Sequence, residues 1–441
     1  MRTYLGYGVG DFGLNIYWNA LSLILVFWYA EVVGLPPNQA GLIYFIGTMW
    51  DAVSDVAVAN WAQKTRTRWG TYRPYLLGGG TLLGLCFVLL FWIPPLEGLM
   101  LFLFMVAAHM LFRTCYTLVA VPYAALASRL SYDSGERTLL SGTRMGFAFL
   151  GLFAISGTWF PIVRHFGDGS DTAPGGFLIA ALVGGFLATI ALAVCFFATK
   201  EEELGTSQES DFSMAAFVKA ILSNSALGVL LGAIFLQSAA GATFQITLAF
   251  YIEAHAHVFA AKETVLTIYA IAILLSVPVW TMAVHRYGKK RAWVAACWIV
   301  IGGGLWLALT QPVLVAGVPL QILLYGIGFG GFGVLVWALV PDTVEYGQWQ
   351  SGKRNEGAVF GSVLLVQKSA GGLMGLIVGM VLTWIGYDTG LEQQTTETAG
   401  YLQLYIFAAP AILLFLSSLM LSQLPLNRTL HAEIVDRIRN S

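Results

Sequence analysis

Runs of about 20 apolar residues, each closed by a short polar or Pro/Gly-rich stretch, repeat from one end of this chain to the other. Twelve such runs predict twelve helices, over approximately residues 8–33, 40–62, 74–94, 98–127, 138–163, 175–198, 225–252, 263–284, 292–310, 316–341, 358–386 and 400–422. Stretches such as "GLPPNQ" and "WIPPLEG" mark the breaks. The longest polar connection, "TKEEELGTSQESDFS" (199–213), falls between the sixth and seventh runs. It reads as a solvated linker between two halves. The expected organisation is a six-helix bundle over 1–198, a cytoplasmic linker over 199–224, a second six-helix bundle over 225–422 and a cytoplasmic tail over 423–441.

Composition agrees with spans that cross a lipid bilayer. Of 441 residues, 57% are hydrophobic and 11% charged, and the mean hydropathy is +0.73. Soluble domains carry about 25% charged residues. The N-terminus lacks the features of a cleaved signal peptide, so the first helix is expected to stay. A net charge of −1 gives no reason to expect nucleic acid. The four cysteines, Cys86, Cys115, Cys195 and Cys297, sit in apolar runs at unrelated spacings and read as core residues rather than metal ligands or a disulfide set. No Ser/His/Asp cluster, metal-ligand spacing or phosphate loop suggests an enzyme.

Orientation follows from the basic residues. Of the 23 Lys and Arg, 18 lie at the termini and in the even-numbered connections, and only Arg164 and Lys262 lie in the odd-numbered ones. This bias predicts both termini in the cytoplasm. Arg113, Arg144 and Lys368 fall within spans. The halves also echo each other: "RWGTYR" (68–73) and "RYGKKR" (286–291) follow the second helix of each half. Twelve spans in two related bundles form an all-α membrane protein with the architecture of the major facilitator transporters.

The second span holds the least expected residues. Asp51 and Asp55 are four apart on one helix face, and Thr48 extends that face. Two like charges in an apolar span require a proton or cation between them, or a basic partner on a neighbouring helix. On the fourth span, Arg113, Tyr116, Thr117 and Ala120 share a face, and Thr117 is placed to complete a cation shell. Arg144 and Lys368 face either substrate or structural acids. His109 reads as a core histidine, Asp11 as a helix-start charge, and Gln237 and Gln245 as weaker ligand candidates. Trp18, Tyr17 and Tyr123 are candidates for stacking on a sugar ring.

Taken together, "YGVGDFGLN" (7–15), "WDAVSD" (50–55), "TRTRWGTYRPYLL" (65–77), "YTLVAVPYAALA" (116–127), "TRMG" (143–146), "PDTVEYGQW" (341–349) and "RNEG" (354–357) resemble the glycoside–pentoside–hexuronide:cation symporters, the family of the melibiose and glucuronide carriers. The resemblance covers nearly the whole chain. It implies a cation site at Asp51, Asp55 and Thr117, and a sugar and charge network that includes Tyr116, Arg144 and Lys368. This sequence has Asn15 and Ala120 where melibiose-type carriers place acids, Ala124 where they place an aromatic platform, and Leu14 in place of a Lys. The glucuronide branch likewise has Asn on the first helix.

The resulting expectation is a cation-coupled symporter in the bacterial inner membrane, carrying H⁺ or Na⁺ with an anionic glycoside (a hexuronide or sulfonated sugar) and working as a monomer without a cofactor. Asn15, Trp18, Arg113, Tyr116, Arg144 and Lys368 are its substrate candidates. Arg66, Arg68 and Arg73 are its gate candidates, pairing with Asp342 or Glu345 in one state of the cycle. A neutral-glycoside symporter, a lysolipid-type carrier and a non-transporting sensor are the alternatives.

Overall fold

The computed structural model describes the chain apart from residues 1, 131–133, 202–220, 222, 257–258, 310–312, 316, 353–354, 392, 427–429, 432, 435 and 438–441. Each of the twelve expected spans contains a helix. In chain order these are α1 (Arg2–Leu23), α2 (Leu25–Phe27), α3 (Pro37–Lys64), α4 (Gly80–Leu90), α5 (Gly98–Leu130), α6 (Ser134–Phe166), α7 (Pro174–Ala198), α8 (Ser225–Ala254), α9 (Lys262–Tyr287), α10 (Lys289–Leu309), α11 (Leu320–Ser351), α12 (Glu356–Trp384) and α13 (Thr396–Ser422). Among the described residues, eight helices are long and apolar enough to cross a membrane, and nine if the bent α1–α2 pair counts as one. The chain turns by 50° there and continues as a π-helical turn, Trp28–Val32. A second π-helical turn, Tyr75–Gly79, leads into α4. The only strands among the described residues are the two-residue pair β1 (Leu314–Val315) and β2 (Val318–Pro319).

Helix limits follow local chemistry. Pro37 opens α3, where its missing N–H costs nothing. Asn224 and Thr395 cap α8 and α13 by accepting from Leu227 N (3.0 Å) and Thr398 N (3.1 Å). The internal repeat is visible in backbone geometry. Gly70 and Gly288, the glycines of the two basic loops, have φ of +109° and +85°, a region that side chains disfavour. Each loop also sends a cation to the end of the last helix of its half. Arg73 Nη2 donates to Phe196 O at 2.7 Å on α7, and Lys290 Nζ donates to Ser422 O at 2.7 Å on α13. Such contacts satisfy carbonyls left over at a helix C-terminus.

The chain forms two compact units. The first comprises Met1–Ser207 with Ala261–Thr267 and Gly375–Gln394. The second comprises Gln208–Ala260, Ile268–Met374 and Thr395–Ser441. The short segments join the first unit through specific contacts. Gly375 and Gly379 form a GxxxG step, and a Cβ on Gly379 would lie 2.4 Å from Pro37 O. Arg164 bonds Asp171 at 2.7 Å and also bonds Glu263, while Lys262 bonds Asp171 at 3.1 Å. The two basic residues of the odd-numbered connections are therefore both held by acids. In the first unit α1 packs on α6 and α7, and α3 on α5, around Trp28, Phe87, Phe91, Trp159 and Phe177. In the second, α8, α10, α11 and α13 pack around Phe244, Tyr325 and Phe407. The four cysteines are free and buried, with Cys86 Sγ 3.4 Å from Cys115 Sγ.

The loop after α3 has an anchor at Glu201. Its carboxylate accepts from the backbone N–H groups of Thr71 (2.8 Å), Tyr72 (2.7 Å) and Arg73 (2.8 Å), and fills the space a Cβ on Gly70 would need. Glu201→Ala strands these three amides and is expected to cost about 2–3 kcal/mol. Thermal melting in detergent checks this: Glu201→Gln should recover only part of the loss, because one of its two oxygens is replaced by an N–H₂ donor.

Candidate functional site

The stripe read on the second span meets a matching stripe on α5. Asp51 and Thr117 are each 0% exposed, and Thr117 Oγ1 lies 2.8 Å from Asp51 Oδ1 and 3.0 Å from Asp55 Oδ1. One hydroxyl carries one proton, so it donates to one carboxylate at a time. The second carboxylate oxygen shares that hydroxyl, an arrangement that a nearby positive charge favours. Ser54 Oγ lies 3.2 Å from Thr117 Oγ1 and adds a fourth oxygen. Sequence reading passed over Ser54, although it stands next to Asp55 and three residues after Asp51.

Arg113 is on the same α5 face, but it is 2% exposed and its Nη1 lies 3.5 Å from Asp51 Oδ2. The structure thus places Arg113, one of the substrate candidates, in the basic-partner position that the acid pair also allowed. Asp51 both faces Thr117 and meets a basic residue on the neighbouring helix. Arg113 Nη2 also donates to Thr48 Oγ1 at 3.3 Å, and Nε to His109 Nε2 at 3.2 Å. His109 is fully buried.

A second charged group forms between α1 and α6. Arg144 Nη2 and Nε lie 3.1 Å and 3.4 Å from Asp11 Oδ1. Asp11 was read as a helix-start charge, but α1 begins at Arg2, which puts Asp11 in the helix interior, where it needs a partner. Asn15, one turn on, donates to Asp11 O at 2.9 Å. Arg144 lies over the rings of Tyr7 and Tyr123, 5.8 Å and 5.1 Å from their centroids. Those tyrosines stack at 4.6 Å and donate to each other's backbone carbonyls. Tyr123 is therefore a buried structural ring, and so is Tyr17, which donates to Gly185 O at 3.3 Å. Neither has a face open to a sugar. Trp18 does: it is 39% exposed and its ring centre is 6.3 Å from that of the half-buried Tyr116. Trp50, equally exposed, donates to Thr114 at 2.8 Å.

Lys368 is half-buried on α12, within the second unit. Gln237 is 9% exposed on α8. The gate candidates each have a partner in their own unit. Arg66 donates to Thr65 O, Arg68 lies over Trp69, and Arg73 reaches α7. Asp342 pairs with Lys289 at 2.7 Å and Glu345 with His431 at 2.5 Å.

A profile of the MFS/sugar transport protein family matches residues 6–428. The chain belongs to that family. It is thus a multi-pass membrane transporter and not an enzyme. Among curated relatives, YagG of Escherichia coli (strain K12), provisionally named a glycoside/cation symporter, is 27% identical over 430 residues, covering 96% of this chain and 91% of the relative. A protein of Salmonella typhimurium, provisionally named a sulfoquinovose importer, is 28% identical over 452 residues, covering 99% and 92%. Among solved structures, the inward open xylose transporter XylE from E. coli superposes with a TM-score of 0.68 at 15% identity, covering 96% of each chain, which shows the shared fold. The family's twelve-span, two-bundle architecture is the one expected from the hydropathy pattern.

Proposed function

We propose that the protein is a secondary active symporter that carries a glycoside with a cation, H⁺ or Na⁺, through a bacterial inner membrane by alternating access, with both termini in the cytoplasm. The observation that carries this reading is the contact of one buried hydroxyl, Thr117, with both Asp51 and Asp55. Two carboxylates converging on one hydroxyl form an acidic site suited to a proton or a small cation. The names of relatives support the substrate and coupling classes. In this scheme Trp18 and Tyr116 supply the face for a sugar ring, with Asn15 and Lys368 as polar contacts. The gate works by exchange of partners: Arg66, Arg68 and Arg73 take up Asp342 and Glu345 when Lys289 and His431 release them.

The substrate is assigned as an anionic glycoside. Arg144 turns Nε and Nη2 to one Asp11 oxygen, yet its side chain is 33% exposed, and a guanidinium fork suits a carboxylate or sulfonate. A neutral glycoside is the second reading, favoured by the finding that Arg113 and Arg144 each already meet an acid. Competition for uptake separates the two. A glucuronide or sulfonated glycoside is expected to inhibit at least about tenfold better than its neutral counterpart, equivalent to one charge-assisted bond. Arg144→Ala should erase the difference. Equal competition in the wild type rejects the anionic assignment.

A further inference from the structure

The guanidinium of Arg113 is held from three directions. Nε donates to His109 Nε2 (3.2 Å), Nη1 to Asp51 Oδ2 (3.5 Å) and Nη2 to Thr48 Oγ1 (3.3 Å). Thr48 is 4% exposed, and Asp51 and His109 are 0% exposed. The rings of Trp18 and Tyr44 lie 5.9 Å and 6.0 Å from Cζ. His109 accepts at Nε2 and is therefore neutral with its proton on Nδ1. Gly47 leaves the space for its ring, since a Cβ there would lie 2.5 Å from Nδ1. Two helices thus fix one cation with several specific contacts, where a counter-ion for Asp51 needs only one.

The contacts that Arg113 makes are the ones an alkali-metal ion would use. Na⁺ and Li⁺ bind through several oxygens. On α3 the polar stripe offers Thr48 Oγ1, both oxygens of Asp51 and those of Asp55. Arg113 takes Thr48 Oγ1 and Asp51 Oδ2, and leaves a fixed positive charge beside Asp51 Oδ1, the oxygen that Thr117 also reaches.

We propose that Arg113 is the ion-selectivity determinant of the Asp51–Asp55–Thr117 site: a resident cation that excludes Na⁺ and Li⁺, so that transport by the wild-type protein is independent of alkali-metal ions. The proposal rests on the reading of these residues as the coupling site. A unit positive charge about 5 Å away, at an effective dielectric near 20, lowers the affinity for any cation by roughly two orders of magnitude, a proton included; the discrimination comes from the occupied oxygens of Thr48 and Asp51, which an alkali-metal ion needs as ligands and a proton on one carboxylate oxygen does not. H⁺ is then the coupling ion among the two expected.

The test is titration of the purified full-length protein with NaCl or LiCl alone, in choline buffer, followed by calorimetry. The wild type is expected to show no saturable binding. Arg113→Met, which keeps most of the side-chain volume and removes the charge, is expected to gain Na⁺ affinity by at least about 100-fold, and adding Asp55→Asn should abolish the gain. Arg113→Lys should stay silent. A purely structural arginine predicts loss of stability with no gain of Na⁺ binding. Arg113→Gln, which retains an amide donor for Thr48, serves where Arg113→Met fails to express. Wild-type Na⁺ binding as tight as that of the charge-free variant overturns the proposal, and so does a folded charge-free variant that binds none. In either case the coupling-site reading stands if Asp55→Asn still abolishes accumulation, and falls if it does not.

Discussion

Asp55→Asn is expected to abolish concentrative uptake while sparing exchange of substrate across the membrane. The carboxylate is one of two held against a single hydroxyl, 3.0 Å from Thr117 Oγ1. An amide in its place needs no added cation, so closing the two halves no longer depends on a second passenger. A tenfold gradient of the coupling cation yields about 1.4 kcal/mol per cation, or about tenfold accumulation; a cation carried with a singly charged anion moves no net charge, so the potential adds nothing. The mutant should fall to a ratio of one. Asp51→Asn should abolish accumulation as well, with an added penalty: it removes the acid facing the buried Arg113, and stranding such a charge costs about 3–5 kcal/mol. Uptake, counterflow exchange and thermal melting together separate the two variants. Accumulation that survives in both removes these acids from the coupling mechanism.

A large effect is also expected from Gly47, which contacts no passenger. A Cβ added there would lie 2.5–2.7 Å from three atoms of the fully buried His109 ring. No backbone motion relieves this without parting α3 from α5, and the ring has no vacant side to turn toward while Nε2 holds Arg113. Gly47→Ala is expected to cost about 1–3 kcal/mol through overpacking, together with the displaced hydrogen bond. Removing the ring opens the space again, so Gly47→Ala in a His109→Ala background should cost much less than in the wild type. Melting temperatures of the four proteins give the coupling directly. Additive losses mean that the ring is not the obstacle.

Sequence and structure agree most closely where the solvent dictates the answer. A bilayer requires backbone polar groups to be satisfied within each segment, so twelve apolar runs could only be helices. Two acids at a four-residue spacing stand out in such a run for the same reason, and Thr117 was found because one face of α5 carried oxygen. The partners were a different matter. Nothing local decides that Arg113 meets Asp51, 62 residues away, or that Arg144 meets Asp11, 133 residues away. The sequence leaves both open between substrate and a structural acid, and in the structure both meet acids. Glu201 was hidden similarly: it reads as one of five acids in a polar linker, and only the turn at Gly70 shows why it is needed. The division into halves was read at the linker. The compact units differ from it because glycine packing and ion pairs carry 261–267 and 375–394 into the first unit, which hydropathy does not encode.

The most direct test of the account is substrate accumulation in proteoliposomes holding the wild-type protein under an imposed, roughly tenfold inward gradient of the coupling cation. The probe is a radiolabelled glucuronide or sulfonated glycoside, compared with its neutral counterpart. The account predicts internal substrate rising well above external, toward about tenfold for a tenfold cation gradient and one cation per cycle, and collapsing when an ionophore dissipates that gradient; the potential adds to the drive only for the neutral counterpart, which moves one net charge. Simple equilibration of a transported glycoside, unchanged by any imposed ion gradient or potential, would contradict it.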